Sequence, residues 1–66
     1  MTIGESIRKV REERGYSRQR LARKLGLHLM TIVQWERDVS YPRMKPLIAL
    51  ADALNVSLDE LVGRRM

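Results

Sequence analysis

RQRLARKLGLHLMTIVQWER, from Arg18 to Arg37, holds two apolar runs at helical spacing with a glycine between them. Leu21, Ala22 and Leu25 recur on one helical face, and Gly26 follows where a residue of positive φ is wanted. Leu27 comes next, and Ile32 and Trp35 resume the apolar spacing on a second short helix. Ala22, small and four positions before the glycine, lets the two helices cross closely. The spacing predicts a helix-turn-helix over residues 18–37, the unit whose second helix can lie in the major groove of DNA.

The flanking sequence reads as three further helices. Thr2 and Glu5 form a T-x-x-E capping box, opening a helix with Ile3, Ile7 and Val10 on one face and Gly15 as its stop. Ser17 caps the next helix through its hydroxyl, with Tyr16 placed to staple Leu21. The third helix, Leu29 to Arg37, is poorly capped, since His28 stands where Ser or Thr is expected. Asp38 to Arg43 is a loop in which Asp38 can turn left-handed and Pro42 forbids helix. Met44, Leu47, Ile48, Leu50, Ala51 and Leu54 make a wide apolar stripe on a fourth helix, where Pro46 is tolerated in the first turn. Asn55 ends it. Ser57 with Glu60, and Val56 with Leu61, then supply a capping box and a staple for a short fifth helix ending at Gly63. Arg64, Arg65 and Met66 read as a frayed tail. The fold class is all-α: a compact five-helix bundle, residues 1–66 forming a single DNA-binding domain.

Composition narrows the function. Sixty-six residues allow one small core. Without cysteine there is neither a disulfide nor a thiolate metal site, so stability must come from helix packing or from a second subunit. No apolar run reaches the roughly 20 residues that a membrane crossing needs, and no secretory signal opens the chain. A cytoplasmic protein is expected. Thirteen Lys and Arg against eight Asp and Glu give a net charge of +5. Eight of the basic residues and only two acidic ones fall between Arg8 and Lys24. Such an excess fits a solvated helical face, but its overlap with the helix-turn-helix favours a polyanionic partner.

Catalysis is set aside. The chain has no nucleophile beside a base, no paired carboxylates in a cleft and no glycine-rich phosphate loop. His28 lacks the further ligands that a metal site requires, leaving helix capping or contact with a phosphate or base. Neither a metal nor a cofactor is expected, and no small-molecule ligand. Trp35 shares the face of Ile32 and is expected in the core. Met44 and Leu58 read as core or dimer-interface residues.

Taken together, Ile7-Arg8, Arg11, Gly15-Tyr16-Ser17, Leu21-Ala22, Leu25-Gly26-Leu27, Ile32, Trp35-Glu36-Arg37, Tyr41-Pro42 and Leu50 to Leu61 occur in order and nearly without gaps. In these residues the chain resembles the Cro/cI-type (XRE) helix-turn-helix family of phage repressors and bacterial regulators, over Ile3 to Gly63. The resemblance implies a five-helix bundle, a dimer, and operator DNA read by the third helix. It also implies an ion pair between Arg11 and Glu36 bracing the first helix against the third, for which an arginine fork facing a carboxylate is suited. The chain departs from the family pattern at three places. Arg18 stands where Gln is usual, with Gln19 one place later, and Asp38 stands where Gly is usual. The tip of the third helix, normally polar, is His28-Leu29-Met30.

These readings converge on a sequence-specific regulator of double-stranded DNA, a repressor by its resemblance, acting as a homodimer on a pseudo-palindrome. Leu29, Met30, Thr31, Val33 and Gln34 face the bases; Gln34 is the leading direct reader, and Thr31 serves a base or a phosphate. Arg18, at a helix start whose N–H groups point at the same anion, leads the phosphate ligands. Gln19, His28, Arg37, Arg43 and Lys45 are the others. Leu58 and Val62, with Val39 and Tyr41, are the dimer candidates; the alternative for Leu58 and Val62 is completion of the monomer core. The rival function is a protein-interaction module, antitoxin-like or an adaptor, that binds a partner through Leu29 and Met30.

Overall fold

The computed structural model describes residues 1–63, so the tail expected at Arg64, Arg65 and Met66 lies outside the described residues. Five helices follow one another: α1 (Ile3–Glu13), α2 (Arg18–Leu25), α3 (Leu29–Glu36), α4 (Met44–Leu54) and α5 (Leu58–Val62). Strands are absent among the described residues.

Local capping chemistry sets most of the helix ends. Glu5 N–H donates to Thr2 Oγ1 at 3.1 Å while Thr2 N–H donates to Glu5 Oε1 at 2.9 Å, so two orphan donors at the start of α1 are satisfied at once. Ser17 Oγ accepts from Arg20 N–H at 3.0 Å to open α2. At the end of α2, Gly26 turns left-handed with φ of 69°, and Leu27 N–H returns to Ala22 O at 2.9 Å. Ser57 opens α5 by accepting from Glu60 N–H at 3.1 Å. Only this half of the expected Ser57–Glu60 box forms among the described residues. His28 makes no side-chain capping bond to α3, so the capping role left open for it is not taken. The last helical residue of α3 is Glu36, and Arg37 is its cap.

The core lies among all five helices: α1 packs on α3 and α5, α2 on α3 and α4, and α4 on α5. Ile7, Leu21, Ile32, Leu50, Leu54 and Leu61 are fully buried, with Val10, Ala22, Trp35 and Ala51 beside them. The expected apolar faces are too wide at two places. Ile3 is exposed, because α1 passes the core only from Gly4 onward. On α4, Met44 and Ile48 share a face one turn apart and both lie open to solvent, leaving Leu50, Ala51 and Leu54 to fill the core. Met44 and Leu58 are therefore not core residues. Leu61 takes the buried place on α5, and Val62 is half-buried. Among the described residues no helix is long and apolar enough to cross a membrane.

Candidate nucleic-acid interface

The inward register of α3 is fixed by Ile32, Trp35 and Glu36, all buried. The opposite face follows from helical geometry. Met30 is 59% exposed, Leu29 is 46% exposed, and Gln34 is open to solvent. Thr31 and Val33 are half-buried at its edges. Two large apolar side chains thus stand at the tip of a helix in the monomer with nothing over them. A rotation of α3 that hides them is not what the chain adopts.

The phosphate candidates are mostly open to solvent. Gln19, His28, Arg37, Arg43 and Lys45 are exposed, and Arg18 is half-buried at the start of α2. Arg37 and Arg43 bracket the loop from Asp38 to Pro42, while Lys45 sits in the first turn of α4. Arg20 and Lys24 have a different occupation. Arg20 lies over the Tyr16 ring at 4.6 Å from its centroid, and Lys24 Nζ donates to Tyr16 Oη at 2.8 Å. That hydrogen bond from Lys24 is the chief reason the Tyr16 phenol is held below its ordinary pKa. Both cations are stacked against their own fold and are placed to raise the local potential.

Beneath the interface lies a buried charge cluster. Arg11 Nε donates to Glu36 Oε2 at 2.6 Å and Arg11 Nη2 to Glu36 Oε1 at 3.3 Å. Arg11 Nη1 donates to the carbonyl of Tyr16 at 2.7 Å, joining α1, the loop before α2 and α3. Arg18 Nε also donates to Glu36 Oε1, at 2.8 Å. Among the described residues no buried side-chain polar atom lacks a partner, which a buried carboxylate requires.

Two relationships escape a reading by periodicity. One is the Arg18–Glu36 contact, since the departure from Gln at residue 18 marks a cation without showing where it points. The other is Asp38. Left-handed at φ of 60°, it turns its carboxylate back to the start of α1, accepting from Gly4 N–H at 2.9 Å and from Thr2 Oγ1 at 2.7 Å. The signal for it is Gly4 itself, a residue that weakens a helix by about 0.5–1 kcal/mol relative to alanine. A Cβ there would sit 2.5 Å from Trp35 O and 2.7 Å from Glu36 O, so glycine admits the end of α3 against α1. The dimer candidates Val39, Tyr41 and Leu58 are exposed.

A helix-turn-helix family profile matches residues 7–61, most of the chain. The chain belongs to the Cro/cI-type helix-turn-helix family. Its relatives in that family include the HTH-type transcriptional regulator ImmR of Bacillus subtilis, 31% identical across 97% of this chain and 50% of ImmR. The cryptic phage CTXphi transcriptional repressor RstR of Vibrio cholerae is 33% identical across 97% of this chain and 57% of RstR. The chain therefore spans about half the length of these helix-turn-helix relatives. Among solved structures, the P22 c2 repressor protein in complex with synthetic operator 9T superposes with a TM-score of 0.86. That pair is 34% identical and covers 94% of each chain.

Proposed function

We propose that this chain is a sequence-specific DNA-binding transcriptional regulator, a repressor that acts in the cytoplasm as a homodimer on a pseudo-palindromic operator. Residues 1–66 form its DNA-binding domain. The observation that carries the reading is the outward face of α3, where Leu29, Met30 and Gln34 are exposed, in a chain that also leaves Arg37, Arg43 and Lys45 open to solvent. A polyanion with an apolar and hydrogen-bonding floor, the major groove, complements that surface. Likeness to an operator-bound repressor points the same way.

In this reading α3 lies in the groove and α2 crosses the backbone with its N-terminus on a phosphate. Gln34 offers an amide that both donates and accepts, the pattern that adenine presents. Met30 and Leu29 meet the one apolar feature of the groove, the thymine C5-methyl group. Thr31 and Val33 line the edges of that contact. Arg18, Gln19, His28, Arg37, Arg43 and Lys45 hold phosphates, and Arg11 with Glu36 keeps α1 and α3 in register. Val39, Tyr41, Leu58 and Val62 face the second copy, setting half-sites about 34 Å apart.

The test is selection from a random pool of duplexes. Recovery of one motif with two-fold symmetry supports the proposal. A pool that stays random, with no retardation at low salt, transfers Leu29 and Met30 to the protein-partner reading.

A further inference from the structure

Glu36 carries two arginines but needs one. Its side chain is 1% exposed, and Arg11, at 8%, is buried with it. Arg11 uses its whole fork internally, with Nε and Nη2 on the carboxylate and Nη1 on the Tyr16 carbonyl. That single guanidinium neutralises the buried charge, as a carboxylate held out of water demands. Arg18 is the surplus. It offers Nε alone to Glu36 Oε1 and leaves its side chain 41% exposed. Among the described residues neither Nη group of Arg18 has a hydrogen-bond partner. Glu12, exposed at the edge of the cluster, lies 4.0 Å from Arg11 Nη2 and 3.5 Å from Arg8 Nε, so the linked set is three arginines and two glutamates, with a surplus of one positive charge.

We infer that Glu36 is a positioning residue for a phosphate contact made by Arg18. The inference rests on the DNA-binding reading above. Glu36 grips the guanidinium by Nε, turning the two Nη groups together toward one backbone phosphate. Arginine suits this because its planar fork has separate edges, one for a carboxylate and one for an anion from outside. Lysine, a point charge on a flexible stem, cannot serve both at once. Part of the rotamer freedom that a free arginine gives up on capturing an anion is already lost in the folded monomer. Glu36 also lies in the last turn of α3, the helix assigned to the bases. The phosphate contact is thereby tied to the reading helix by a single carboxylate, and a shift along the backbone must carry the register of α3 with it.

The experiment is a methylphosphonate scan of a duplex recovered from a random pool by this protein, each substitution removing one phosphate charge. For the wild type, neutralising the phosphate under Arg18 is expected to weaken binding roughly tenfold or more, the loss of a charge-assisted contact. Arg18→Met removes the penalty at that phosphate alone, and Arg18→Lys removes most of it although the charge is retained. Glu36→Gln lowers the penalty at the same phosphate and leaves the others unchanged. A purely structural role for Glu36 would instead weaken binding at every position alike. The inference is overturned if Arg18→Lys keeps the wild-type penalty, or if folded Glu36→Gln does. Should Glu36→Gln fail to fold, the comparison of Arg18→Lys with Arg18→Met decides alone. A wild type that binds no duplex at low salt overturns the DNA-binding reading itself, a result distinguishable from a bound complex whose scan shows no Arg18-dependent phosphate.

Discussion

Asp38 closes the start of α1 across 34 residues of sequence: its Oδ1 accepts from Gly4 N–H at 2.9 Å. The carboxylate thus serves as a second cap for a helix that already has Thr2, and it fastens the loop after α3 to the opening of the chain. A glycine in this place would turn left-handed without cost but bring no cap. Asp38 trades backbone ease for a tertiary hydrogen bond.

That exchange sets a difference between two substitutions. Asp38→Ala removes the cap and keeps a Cβ in the left-handed region, so it is expected to cost about 1–3 kcal/mol. Asp38→Gly loses the cap and relieves the backbone, and should be milder by about 1 kcal/mol. Urea unfolding of the pair measures this. Equal losses would mean that the backbone conformation at residue 38 carries no cost.

Acid should weaken the start of α1 through Glu5. The N–H of Thr2, donating to Glu5 Oε1, holds the Glu5 carboxyl below its ordinary value of 4.5. A depressed folded value means that the ionised form stabilises the fold. The contribution is complete above roughly pH 4.5 and fades as pH falls through the lower folded value. The stability difference between wild type and Glu5→Gln should accordingly shrink on acidification below that point. A difference that stays constant from neutral pH into strong acid would show that the carboxylate gains nothing from Thr2.

Much of the fold is legible in the sequence because its punctuation is local. Thr2, Ser17, Gly26, Asn55 and Ser57 each act on atoms a few residues away, and together they set ends of four of the five helices. Burial is less legible at helix ends. Ile3, Met44 and Ile48 satisfy an apolar period yet extend beyond the core they were expected to join. The site divides in the same way. The outward position of Met30 follows from the inward ones of Ile32 and Trp35, since helical geometry links them. The ties of Arg18 to Glu36 and of Asp38 to Gly4 depend on how separate elements meet, and no spacing within one element encodes them.

Leu58 offers a clean probe of self-association, being exposed on α5 while Leu61 fills the core. Leu58→Glu should leave stability within about 0.5 kcal/mol, as for other surface changes. In the sedimentation velocity of the proposed dimer it should move the protein toward monomer at concentrations where the wild type is paired. A variant that dimerises like the wild type removes Leu58 from the interface.

Methyl readout by Met30 and Leu29 can be separated from every other contact by replacing thymine with uracil, which deletes only the C5-methyl. One thymine in each half-site, under Met30, should be sensitive, with a second under Leu29. Loss of one buried methyl is worth about 0.8 kcal/mol, roughly a fourfold change in affinity. Unchanged binding at all thymines of the half-site would leave the exposed apolar tip without a role on DNA.

Whether α2 and α3 dock a cationic face in the groove is read from the salt dependence of binding to duplex DNA. A dimer that neutralises about 6–10 phosphates should show log affinity falling against log salt with a slope near −5 to −9. Arg18, Arg37, Arg43 and Lys45 from two copies supply enough cations for that range. A slope shallower than about −2 would mean that few phosphates are touched, and groove docking by this face would be contradicted.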